Sequence, residues 1–176
     1  MFRNFYLSLL FILSFAITHS QKDTLRIIKE YITAPIPFGE AVIIDGILSD
    51  SAWDNVHWDG NFTVFEPNNG KLPSQATKFK IMYDEKYIYV GIKCLDSIPS
   101  KIEKRLARRD SFSGDWVEVN IDSYSDKRTG FSFSVSAAGV KGDEFISQNG
   151  DFWDSSWNPI WYTSTNIDEE GWTAEI

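Results

Sequence analysis

Between Asp115 and Gly139 the chain alternates apolar and polar residues with a period of two, on both sides of a charged turn. Val117, Val119 and Ile121 interleave with Trp116, Glu118, Asn120 and Asp122. After the turn, Phe131, Phe133, Val135 and Ala137 interleave with Ser132, Ser134 and Ser136. Side chains of a strand point alternately to opposite faces, so each segment predicts a strand with one buried apolar row and one outward polar row. Paired as neighbours, the two strands place an indole, a carboxylate and a row of hydroxyls on one surface. That surface suits a sugar ring, which offers apolar C–H patches and hydroxyls, although any half-exposed sheet shows the same alternation.

The same period recurs elsewhere. Phe79, Ile81 and Tyr83 alternate with Lys78, Lys80 and Met82; after Asp84-Glu85-Lys86, a second row follows in Ile88, Val90, Ile92 and Cys94. This predicts a hairpin. Trp161 to Ile167 and Trp172 to Ile176 alternate around a turn at Asp168 to Gly171. A short strand is expected at Ala41 to Asp45, closed by Asp45-Gly46. One helical turn is expected at Ser49 to Asn55, capped by Ser49, with Trp53 on the core. His57 to Phe65 reads as an irregular strand; the charges of Ile102 to Arg109 suit a helix or a strand, and a strand is the reading taken. Val140 to Trp157 is mixed, with a loop at Asn149-Gly150-Asp151. Short strands separated by turns, without long helical periodicity, predict an all-β fold, an antiparallel β-sandwich of immunoglobulin-like or jelly-roll-like type. The row Trp172, Ala174, Ile176 stops without a turn or cap, which leads us to expect a sandwich truncated at its C-terminal end.

The first 20 residues are a separate object. Arg3, an apolar run from Phe5 to Ile17 and the small-residue exit Thr18-His19-Ser20 have the order of a secretory signal peptide, and the run is too short to span a membrane. Export to the periplasm, outer membrane or medium is expected, with cleavage near Ser20-Gln21. Residues 21–40 read as a lead-in and 41–176 as the sandwich. Removing residues 1–20 removes one Arg and no acid, taking the net charge from −8 to −9. An acidic surface repels phosphate backbones, so nucleic acid is excluded as a partner. The single cysteine, Cys94, has no internal partner for a disulfide and falls in an apolar row, as a small buried hydrophobe. Aromatic residues make up 15% of the chain, more than a core of this size absorbs, so those on polar rows call for a role.

Several ordered motifs resemble family 9 carbohydrate-binding modules. They are Val42-Ile43-Ile44-Asp45-Gly46 with Asp50 and Trp53-Asp54; the hairpin Tyr83 to Val90 closing at Asp96; Asp115 to Asp122; and Gly171-Trp172-Thr173-Ala174-Glu175-Ile176. Arg108-Arg109-Asp110 and Asp126 to Phe131 resemble the subtype found ahead of an outer-membrane β-barrel region in secreted bacterial proteins. The resemblance implies a calcium-carrying β-sandwich that accompanies enzymes hydrolysing O-glycosyl bonds. It also implies a sugar held between two Trp rings, with a Glu and an Arg on its hydroxyls. Glu118 matches the Glu and Phe112 falls at the first ring platform. Ser134 stands where the Arg is expected, and the second Trp is expected beyond Ile176.

The candidate carbohydrate-binding residues are therefore Phe112, Trp116, Glu118 and Ser134, with Trp153 and Trp157 as a substitute platform in a Pro-broken loop. The plain alternative for each ring is loop packing. Calcium needs several hard oxygens; Asp84, Asp96 and Asp122, at strand ends and turns, are the candidates, with solvated turn acids as the alternative. A glycosidase pair of Glu118 with Asp115 or Asp143 needs a cleft between facing carboxylates, which one open strand does not make, so no catalytic residue is assigned. Haem, with only Met82 and His57 to ligate it, is not expected. The expected partner is a polysaccharide or oligosaccharide. The second reading is a structural domain leading into a barrel beyond Ile176, with no sugar bound.

Overall fold

The computed structural model describes residues 29–176; the expected signal peptide and the first part of the lead-in lie outside the described residues. Among the described residues nine strands form two sheets. Sheet one contains β1 (Ala34–Pro35), β2 (Thr77–Tyr83), β3 (Ile88–Leu95), β9 (Gly171–Glu175) and β8 (Ser164–Ile167), in that spatial order. Sheet two contains β4 (Trp116–Ile121), β5 (Gly130–Ser136), β6 (Lys141–Ser147) and β7 (Phe152–Asp154). All pairings are antiparallel except β1 with β2. The fold is the expected all-β sandwich.

Val90, Ile92, Trp172 and Ala174 of sheet one meet Val135 and Ala137 of sheet two in the core between the sheets, with Val117 and Val119 packed against them. These are the rows that alternation assigned inward. Sheet one is also covered on its other face. Trp53, on a 3-10 turn at Ser51–Asn55, packs with Ala52 and Val56 on Met82 of β2, with Ala34 and Ile36 beside them. Gly91 makes this approach possible, because a Cβ there would come within 2.5 Å of Leu48 and 3.2 Å of the Trp53 ring. Lys80, expected outward, is buried on this covered face and donates from Nζ to the Trp53 carbonyl (2.6 Å). Burial pushes its ammonium below the ordinary lysine range.

The structure departs from the expected elements at several places. Ala41 to Asp45 forms no strand: its backbone donates instead to side chains, Ile43 to Asp50 (2.8 Å) and Asp45 to Glu175 (2.9 Å). The helical turn starts at Ser51, and Ser49 does not cap it. His57 to Phe65 contributes only a bridge between Asp59 and Phe79. Part of the lead-in joins the sandwich: β1 pairs with β2, and the Tyr31 ring stacks on His57 at 4.7 Å.

Residues 102–109 form no strand either. They belong to a loop closed at its base, where Asp115 N–H donates to the Glu103 carbonyl (3.1 Å) and Glu103 N–H to the Asp115 carboxylate (2.9 Å). Gly114, at φ +78°, fits the closure, since a Cβ would fall 2.2 Å from the Glu103 oxygen. The loop lies along β6 where β7 does not reach. Asp110 donates its N–H to the Lys141 carbonyl (3.0 Å) and accepts from Asp143 N–H (3.0 Å). An otherwise open sheet edge is thereby covered.

Candidate functional site

Register decides which side chains share the outer face of sheet two. Trp116 pairs with Ser136, Glu118 with Ser134, and Asn120 with Ser132. Across β5, Ser134 pairs with Gly142, Ser132 with Glu144 and Gly130 with Ile146; Ile146 in turn pairs with Trp153. Directly paired residues of antiparallel strands project to the same side. One face therefore carries Trp116 at one end and Trp153 at the other, with Glu118, Asn120, Ser132, Ser134 and Glu144 between them. From Ser136 to Gly130 the face runs about 20 Å along β5 at the usual rise per residue.

Phe112, from the closed loop, completes the first end. Its ring lies 4.9 Å from that of Trp116, tilted by 44°. It rests over Gly142, where a Cβ would come within 3.0 Å of the ring and 2.6 Å of Ser134 Oγ. A bare backbone is thus what lets the ring lie against the sheet. Phe112, Trp116 and Trp153 keep 43%, 43% and 42% of their surface exposed, enough ring to receive a ligand from solvent. Trp153 is held by a hydrogen bond from Nε1 to the Gly150 carbonyl (2.9 Å).

The serines behave differently from expectation. Ser132 and Ser134 are 1% and 2% exposed, although alternation placed them on an open surface. Their side chains are short and lie between the longer Glu118 and Asn120 on one flank and Glu144 on the other, with Phe112 over Gly142. They form the floor of the face. Asn120 donates from its carboxamide to Glu118 (2.6 Å), which engages one of the two carboxylate oxygens. The Glu144 carboxyl is pushed above the ordinary glutamate range, mainly by burial, then by the charges of Glu118 and Asp110.

Trp157 is not part of this face. It packs on Phe131 (4.8 Å) and Phe133 (5.6 Å), which point inward, so it covers the opposite side of the sheet. Asp143 also points inward, buried in an ion pair with Arg109 and accepting from Trp161 Nε1 (3.3 Å). Glu118 and Asp143 are thus on opposite faces, and Asp115 is taken up in closing the loop. Neither pairing makes a hydrolytic dyad.

The proposed calcium ligands do not come together. Asp84 lies in the β2–β3 turn, accepting from Lys86 N–H, Tyr87 N–H (both 2.7 Å) and the Tyr89 hydroxyl (2.8 Å). Asp96 lies at the other end of β3 and accepts from Ile98 N–H (2.6 Å). Asp122, in sheet two, accepts from Asp126 and Lys127 N–H (3.2 and 2.8 Å). These residues do not fit one calcium ion, and among the described residues no group of three His, Cys, Asp or Glu is placed to hold a metal.

Glu144 was missed in the sequence because β6 inverts the usual polarity. Lys141 and Asp143 sit on its inner side while Gly142 and Ile146 face out. The inner face is also less closed than expected. A groove of about 500 Å³ enters between the sheets, lined among others by Ile88, Val119, Phe133, Trp161 and Ile176. Val119, Ile121 and Phe133 therefore point inward but stay half-buried.

A two-layer antiparallel sandwich with rings and polar groups displayed on one sheet is a fold class shared by many binding modules. Within that class the match is specific: residues 44–176 fit the family described as carbohydrate family 9 binding domain-like, and the chain belongs to it. No curated protein matches the chain by sequence. Among solved structures, a family 9 carbohydrate-binding module from Caldicellulosiruptor kristjanssonii in complex with glucose is similar over 83% of this chain and 66% of its own, with TM-score 0.58 and 21% identity. The same organism's module in complex with cellotriose is similar over 83% and 65%, with TM-score 0.53 and 21% identity. The chain thus spans just under two thirds of the length of these structures.

Proposed function

We propose that this chain is an exported, non-catalytic module that binds a polysaccharide or oligosaccharide on the outer face of sheet two, and that it positions a larger protein engaged in polysaccharide breakdown. The observation that carries the reading is the arrangement of the face: exposed rings at both ends and hydrogen-bonding groups between them. A pyranose gains by laying its C–H face on Trp116 or Trp153. Its hydroxyls donate to the other carboxylate oxygen of Glu118, a charge-assisted bond that fixes orientation. Family membership and two similar structures named as sugar complexes support the same reading.

The test is titration of the folded chain with gluco- and xylo-oligosaccharides, in calcium and in chelator. Without the Arg expected at Ser134, affinity is about millimolar, roughly −4 kcal/mol. Trp116→Ala and Glu118→Ala each weaken binding about five- to tenfold while the melting temperature stays close to that of the parent, because neither side chain belongs to the core. Binding unchanged by both substitutions rules this face out. A chelator-dependent loss supports a calcium role carried by residues other than the Asp84, Asp96, Asp122 set.

Export is part of the proposal and rests on residues 1–20. Mass spectrometry of the protein recovered outside the cytoplasm should give a chain beginning at Gln21; a chain retaining Met1 to Ser20 contradicts it. A second reading, a structural domain leading into an outer-membrane barrel, is favoured by one feature. Ser134 supplies a buried hydroxyl where the resemblance expects a cation, leaving fewer groups to grip a sugar. Failure to bind any glycan favours that role.

A further inference from the structure

The reading of sheet two as a glycan surface leaves the identity of the glycan open, and the chemistry of the face narrows it. The inference here rests on that reading. The face is rich in acceptors and poor in donors. Glu118 and Glu144 lie on β4 and β6, one on each side of β5. With two strand spacings and a two-residue register offset between them, their backbones are about 12 Å apart, a distance that their long side chains close in part. The Asp110 charge acts on Glu144 from the loop at the β6 edge. Of the ion pairs among the described residues, Lys93 with Glu170 and Arg109 with Asp143, neither is on this face. The one amide donor, Asn120, is already bound to Glu118.

Ser132 supplies an independent observation. It lies in register between Asn120 and Glu144, its Oγ is fully buried, and it has no hydrogen-bond partner. A buried hydroxyl left unpaired is uncommon and unfavourable in a folded protein. The floor of the acidic face therefore holds a polar atom with no partner in the chain.

We propose that the ligand of this face is a glycan carrying a free, protonated amino group, a glucosamine-type sugar, with its ammonium seated between Glu118 and Glu144 over Ser132. An ammonium has three donors and no acceptor, which matches what the face lacks. It also relieves the mutual repulsion of the carboxylates, the same repulsion that helps to raise the Glu144 carboxyl. A neutral sugar satisfies some of these acceptors but leaves the charges uncompensated. A uronic acid adds a further negative charge and is repelled.

The test compares four ligands against the whole chain by calorimetric titration. They are the glucosamine trimer, its N-acetylated form, cellotriose and a trigalacturonate. The pH is held near 6, below the ~7.7–8.0 of a model amine, so that the amine is charged. The amine trimer should bind about five- to tenfold tighter than its acetylated form, and the uronate not detectably. Glu144→Gln should bring the amine down to the level of the neutral trimers. Glu85→Gln, on the β2–β3 turn of the other sheet, removes the same net charge and should leave the preference intact. Equal affinity for the amine and acetylated trimers overturns the inference but leaves glycan binding standing, as does a preference that Glu85→Gln abolishes as fully as Glu144→Gln. Absence of binding by all four removes the glycan reading together with the inference.

Discussion

At the scale of the residue, Glu175 shows how two of the sequence motifs are one structural unit. Its buried carboxylate accepts from Asp45 N–H (2.9 Å), Gly46 N–H (2.8 Å) and Trp53 Nε1 (3.0 Å). The late strand thereby clamps the Asp45-Gly46 turn and the Trp53 ring. Burial pushes its carboxyl above the ordinary glutamate range, against the pull of the Gly46, Trp53 and Asp45 donors. A carboxyl with a raised folded-state pKa holds its proton in the native state after the unfolded chain, near pKa ~4.3, has lost it. Through that window the native state binds more protons, so this group's contribution to stability falls as pH rises. Glu175→Gln removes the titration. Urea midpoints measured from about pH 4 upward should show the parent's advantage over the variant shrinking through the window and then levelling. An advantage that grows with pH contradicts the shift. Above the window the variant remains less stable by about 1–3 kcal/mol, because its amide NH₂ faces an N–H donor.

At the scale of the element, β6 and the loop of residues 103–115 carry what alternation could not predict. Strands β2, β3, β4, β5, β8 and β9 were legible because their apolar rows face the core and their spacing is two. Val117, Val119 and Val135 are clear cases. In β6 the period persists but the polarity does not, since Asp143 is buried inward with Arg109 of the loop and the outer face needs a bare Gly142 under Phe112. The strand reading of Ile102 to Arg109, a segment whose charges suited a helix equally, failed for a related reason. Its hydrogen bonds go to a loop base and a sheet edge, and Arg109 points to one side of β6 while Phe112 points to the other. Two outcomes follow. Arg109→Met leaves the Asp143 charge buried without its partner and should cost about 3 kcal/mol, the low end for such a loss because Arg109 is partly exposed. Gly142→Ala should push Phe112 from the sheet with a smaller loss of stability, altering Trp116 fluorescence and weakening glycan binding. Unchanged fluorescence and affinity would show that Phe112 is not seated on Gly142.

For the whole molecule, the two sheets serve different ends. Sheet one is covered on both faces, by the core and by the Trp53 cluster, and is the structural half. Sheet two faces the core on one side and displays rings and carboxylates on the other. The aromatic excess seen in the sequence divides accordingly. Trp53 and Trp172 are core, Trp157 and Trp161 cover the inner aromatics, and Trp116 and Trp153 stand at the ends of the outer face. Sequence alone could not make that division: Trp153 and Trp157 sit four residues apart, and they are separated only because Trp153, on β7, pairs with Ile146 while the chain leaves the strand and packs Trp157 on Phe131 and Phe133. The groove between the sheets is the competing surface, apolar and able to take a small ligand. Amide chemical-shift mapping during a glycan titration decides between them. Binding on the outer face predicts that the shifts concentrate at Trp116, Glu118, Asn120, Ser132, Ser134, Glu144 and Trp153, while Ile88, Val90 and Trp161 stay still. Shifts confined to the groove residues, with the outer face unmoved, contradict the account.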